Sequence, residues 1–172
     1  MFNFTEYMRR LSAEYAEIAH SQSDKRFYRL SGIRSLEEVL SNLLSARVPA
    51  IGVDDNLEGR IISNQSDALF DRQHCIFYIF GKVNLLDHNQ REAQKRKTKQ
   101  IALKFVSRIL ADHRSDFNLE TSHGLRHLDI GSFSYRTIGP LAEGLIALAV
   151  SFVVDTSLTP LVNPLEWNAP ES

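Results

Sequence analysis

The sequence predicts an α+β domain, a mainly antiparallel sheet with a long helix (about 87–114) and two shorter helices packed on it. Three observations carry that expectation. Apolar residues recur at spacings of three and four in three separate stretches. Short β-branched and aromatic runs lie between those stretches. The elements follow one another as α, β, α, several β, one long α, several β. At 172 residues, 43% hydrophobic and 24% charged, the chain is long enough to bury one core. Residues 1–158 are expected to form that domain, and 159–172 a Pro-rich extended tail.

Residues 3–20 predict the first helix. Asn3 and Glu6 have the form of a capping box, and Phe4, Tyr7, Met8, Leu11, Tyr15 and Ile18 make one apolar face. Lys25 to Leu30 reads as a short strand with Phe27 and Tyr28 among basic residues. Ser35 and Glu38 open a second helix to about Ala46, with Leu36, Val39, Leu40, Leu43 and Leu44 on one face. Pro49 blocks further helix, and Ala50 to Val53 is expected to be a buried strand. Asp54-Asp55-Asn56 and Gly59 predict a turn.

The stretch from Cys75 to about Arg114 organises the rest. A strong strand from His74 to Val83 delivers the chain into the longest helix, for which Asp87 is the expected N-cap. Between Asp87 and His113 there is no Gly or Pro. The helix changes character along its length. Its first half carries Arg91, Lys95, Arg96, Lys97 and Lys99 against one acid, Glu92, which could pair with Arg96. Its second half carries the stripe Ile101, Ala102, Phe105, Val106, Ile109 and Leu110. Phe133 to Ile138 alternates as a half-buried strand, and Leu145 to Val154 is the expected last core strand. Trp167 stands alone in the tail among Pro160, Pro164 and Pro170, and a tryptophan so placed is expected to dock on its own domain or on another chain.

These residues exclude more functions than they suggest. A formal net charge of −1 gives no global field toward nucleic acid or membrane. A single cysteine, Cys75, allows no intramolecular disulfide and no thiolate zinc cluster. The amino terminus has no apolar signal region, and the Leu145–Val154 run is too short to span a bilayer. His123 and His127 have a spacing seen in zinc sites, but Gly124 lies between them and no H-E-x-x-H pattern is present. Asp54 with Asp55, and Asp112 with Asp116, suit turn chemistry and helix ends better than acid–base work. No Gly-rich phosphate loop and no G-x-S-x-G occurs. The expectation is therefore a non-enzyme with no cofactor and no metal. Candidate interface residues are Arg91, Lys95, Arg96, Lys97, Lys99 and Trp167. An alternative is a nucleic-acid-binding module using the basic half of the long helix with Phe27 and Tyr28, against which the near-neutral net charge counts.

The order of elements resembles small structural proteins of tailed bacteriophages, the tail-terminator and head–tail connector group. The residues that carry the resemblance are Lys25-Arg26-Phe27-Tyr28-Arg29, Val48-Pro49-Ala50-Ile51 and Asp71-Arg72-Gln73 ahead of Phe77-Tyr78-Ile79-Phe80. The single long helix follows, and then Ile138-Gly139-Pro140 before Val150-Ser151-Phe152-Val153. The resemblance implies no enzyme activity and no catalytic residues. It implies a homo-oligomeric ring, often a hexamer, at the head-proximal end of the tail. The implied partners are the chain itself and tail-tube, sheath or neck proteins, and the implied location is the virion tail or neck, assembled in the host cytoplasm.

Overall fold

Five strands and two helices make up the described part of the computed structural model, which covers residues 2–30, 47–63, 68–139 and 144–158. The helices are α1 (Phe4–Glu14) and α2 (His88–Phe117). The strands are β1 (Phe27–Leu30), β2 (Ala50–Ser63), β3 (Leu69–Lys82), β4 (Leu128–Ile138) and β5 (Leu145–Leu158). They form one sheet in the order β1-β2-β3-β5-β4. Only β1 and β2 run parallel; the other neighbours are antiparallel. The α+β class and the long helix match the expectation. The expected helix from Ser35 to Ala46 and the tail with Trp167 lie outside the described residues.

Side chains alternate across each strand, and the two faces are distinct. Ile51, Val53, Cys75, Phe77, Ile79, Leu148, Val150 and Phe152 point to the face that both described helices cover. Met8 and Leu11 of α1 and Ile101, Phe105 and Ile109 of α2 fill the space above them. Tyr28, Leu30, Ala50, Phe80 and Ala147 form a smaller buried cluster whose strand positions alternate with the first.

Local signals set the helix starts. The Asn3 side chain accepts from Glu6 N–H at 3.1 Å, and the Asp87 side chain accepts from Gln90 N–H at 2.9 Å. The ends differ from expectation. α1 stops at Glu14 because Tyr15 is extended; Ile18 still reaches the core through the following turn. α2 continues past Arg114 to Phe117.

The largest correction is at Asp54-Asp55-Asn56. These turn formers lie inside β2, not between strands. Pairing with β3 jumps from Asp54↔Ile76 to Glu58↔His74, so four steps along β2 face two along β3. The bulge absorbs residues that would otherwise make a turn, because pairing on both sides of it holds β2 to β3. For the same reason β3 begins at Leu69 instead of His74, β4 at Leu128 instead of Phe133, and β5 runs to Leu158 instead of Val154. Each added segment is tied by its ladder, as in Leu69↔Leu158 and Leu128↔Val154.

Candidate interface surfaces

The amino half of α2 is held over one end of the sheet without entering the core. Its first buried residue is Thr98, whose hydroxyl donates to the Lys95 carbonyl at 2.9 Å. Gln94 lies so close to Gly81 that a Cβ at that glycine would overlap its side-chain amide. The missing side chain lets the helix approach β3 there.

The five expected interface cations are not equivalent. Lys95 pairs with Glu92 at 2.8 Å, an i, i+3 contact in place of the expected Glu92–Arg96 pair. That hydrogen bond holds the Glu92 carboxyl below its ordinary value. Lys97 reaches Glu17 at 3.9 Å, a loose contact between two exposed side chains. Lys99 Nζ donates to Tyr135 Oη at 2.8 Å and sits over that ring. Arg96 is exposed and makes no hydrogen bond or ion pair among the described residues. Arg91 is half-buried, with Nε lacking a hydrogen-bond partner among them. At the tip, Leu86 is 95% exposed, and Leu85 beside it is also exposed. Two exposed leucines thus stand immediately ahead of the cationic helix start.

A second surface lies away from the start of α2, partway along β2 and β3. The β2 bulge, the middle of β3 and the amino end of α1 enclose a cleft of about 500 Å³. Phe2, Phe4 and Cys75 give it apolar walls. Its lining is rich in acids, Glu6, Asp54, Asp55, Glu58 and Asp71, alongside Arg29 and His74, and Glu6 is paired with Arg9 at 3.1 Å. Asp55 is tied to Arg29 at 2.7 Å, and Asp71 accepts from Gln73 at 2.9 Å. Glu58 is exposed and makes no hydrogen bond or ion pair among the described residues. The sequence marked only the Asp54-Asp55 pair of this site; Glu6 of α1 and Asp71 of β3 join it only when the chain folds. Burial pushes the Cys75 thiol up to about 12, so it remains protonated at neutral pH.

A third feature is the apolar groove between α2 and the edge strand β4, lined by Ala102, Leu103, Val106, Phe133 and Tyr135. Tyr135 and Ile130 of β4, the last strand of the sheet among the described residues, are 56% and 57% exposed.

Two buried carboxylates work within the fold. Asp112 accepts from Tyr7 Oη at 2.9 Å, Arg10 Nη2 at 3.2 Å and Arg108 Nε at 2.8 Å, which pins α1 to α2. Burial first, and then the neighbouring Asp112 carboxylate, push the Tyr7 phenol far above its ordinary value. Asp116 accepts from the backbone N–H of His123 and Leu125 at 2.8 and 2.7 Å, and from Thr121 Oγ1 at 2.9 Å. Burial acts to raise the Asp116 carboxyl, but these donors outweigh it and hold it below the ordinary value. Neither carboxylate was singled out by sequence beyond its place near a helix end.

The histidine pair is taken up in the same region. His123 Nδ1 lies 2.9 Å from Asp116 Oδ1, whereas the His127 ring packs edge-on against Phe70. No cluster of three or more potential metal ligands occurs among the described residues. No described helix is long and apolar enough to cross a membrane. Phe27 and Tyr28 are buried, and Tyr28 Oη donates to the Lys25 carbonyl at 3.0 Å, so neither ring is free to stack on a base.

No family model matches the chain, and comparison with curated proteins gives no match.

Proposed function

We propose that this chain is a non-enzymatic structural subunit that assembles with copies of itself into a ring at the head-proximal end of a bacteriophage tail, as a tail terminator or head–tail connector. The observation that carries the proposal is the amino half of α2. It keeps its first ten residues out of the core, exposes Arg96 and Lys97, and is led by the bare Leu86. Exposed apolar area at Leu85 and Leu86 beside a local cluster of cations offers a partner both burial and charge pairing. The exposed apolar side chains of β4 add to it. Tail-tube, sheath or neck proteins are the partners this reading assigns.

Native mass spectrometry and analytical ultracentrifugation, alone and with tail proteins, test it. A closed oligomer is expected. A monomer at every concentration, with or without those proteins, removes the proposal.

The nucleic-acid alternative rests on the same cations but loses its stacking half with Phe27 and Tyr28 buried. What remains is phosphate contact, and its signature is affinity that falls steeply with salt. An anisotropy titration at low salt without binding eliminates it.

A further inference from the structure

The two charged surfaces cannot meet within one chain. Gln94 of the basic half packs on Gly81 at one end of β3, while Gln73 lines the acidic cleft. Gly81 and Gln73 stand eight positions apart along β3, about 26 Å at the usual strand rise. The two surfaces nevertheless match in chemistry. One is a helix start with an exposed leucine at its tip, followed by Arg91, Lys95, Arg96 and Lys97. The other is a cleft with apolar walls from Phe2 and Phe4 and a lining that includes Asp54, Glu58 and Asp71. The helix dipole adds positive potential at the same end of α2.

We propose that the amino half of α2 docks, Leu86 first, into the acidic cleft of a second copy of this chain. The inference rests on the ring reading and specifies its contact. Different patches meet on the two subunits, so the contact is head-to-tail. A head-to-tail contact repeats from copy to copy and closes into a ring when the rotation allows. Arg96, which has no ion-pair partner among the described residues, faces the neighbour's exposed Glu58 in this arrangement, and Leu86 loses its water against the phenylalanine walls. Both terms favour the pair, the first in a salt-dependent way.

Charge reversal in the full chain tests the contact. Arg96→Glu with Lys97→Glu reverses the helix face. Glu58→Lys with Asp71→Lys reverses the cleft, and Glu58→Lys alone serves if the double variant melts early. Circular dichroism melts establish that each variant is folded. Sedimentation velocity is expected to show each reversed variant weakened in self-association by at least about tenfold. An equimolar mixture of the helix-reversed and cleft-reversed chains is expected to recover the oligomer. In the mixture every reversed helix can find a reversed cleft, and every native helix a native one. Recovery on mixing marks a contact between two different patches.

Other outcomes separate the two levels of inference. If folded reversed variants keep the oligomer of the wild-type chain, the proposed contact is wrong and the ring reading stands. If single reversals disrupt assembly but mixing does not restore it, the two patches are not each other's partners and the contact is again wrong. A wild-type chain that never associates, alone or with tail proteins, overturns both.

Discussion

Asp116 closes the segment after α2 by gathering donors from Thr121, His123 and Leu125 onto one buried carboxylate. Its carboxyl titrates below the ordinary value of 3.8 in the folded chain. Its contribution to stability is therefore complete above that value and is lost as the pH falls through the lower folded value. Asp116→Asn is expected to cost about 1–3 kcal/mol at pH 7, since some buried N–H groups lose a charged acceptor. The gap between the variant and the wild-type chain is expected to narrow below about pH 4. Urea melts between pH 2 and 7 check both statements; a gap that widens in acid reverses the sign and removes the account. Asp112 has a different task, joining Tyr7, Arg10 and Arg108 across two helices. Tyr7→Phe removes one of its three donors and is expected to cost about 1 kcal/mol in the same assay.

At the scale of elements, α2 has two halves with different consequences when altered. Phe105 is 2% exposed and packs on Phe77 and Tyr15. Phe105→Ala is expected to destabilise by about 3–5 kcal/mol, read by chemical denaturation. Lys97→Ala touches one loose pair with Glu17, so stability should change by less than about 0.5 kcal/mol. Its effect is expected in sedimentation instead, as weaker association. Equal small effects of the two substitutions on stability and assembly would show that the helix is not divided in this way. The start of β5 is constrained separately. Gly144 has φ +76°, and a Cβ there would run into the Val83 carbonyl oxygen. Val83 N–H in turn donates to the Gly144 carbonyl at 2.8 Å. Gly144→Ala should therefore destabilise by at least about 1 kcal/mol, measured as a lowered melting midpoint.

At the scale of the whole molecule, a basic helix start and an acidic cleft stand apart on the fold although the chain as a whole carries only −1. Near-neutrality conceals this separation, because a sum over residues has no direction. Self-association driven by that separation is expected to weaken as ionic strength rises from about 0.05 to 0.5 M, as the screening length shortens to a few ångströms. Sedimentation across that range measures it, and salt-insensitive assembly would assign the contact to apolar surface such as Leu86 or the β4 edge.

Much of the fold was legible from sequence where the signal is local. The caps at Asn3 and Asp87, the apolar stripe from Ile101 to Leu110 and the core alternation around Phe77 each depend on neighbours within a turn or a few strand positions. The division of α2 into a basic and an apolar half was also plain, since charge and spacing sit in one continuous stretch. By itself, then, the sequence determined which residues form helix faces, where α2 starts, and which strands are apolar enough for the core. Tertiary structure alone decided that Asp54-Asp55-Asn56 bulge within β2 instead of turning, that β5 lies between β3 and β4, and that α1, β2 and β3 bring their carboxylates to one cleft. Those outcomes depend on pairing between residues far apart in the chain. Ladder hydrogen bonds and shared burial there outweigh local turn preference, and no short window of sequence contains both partners.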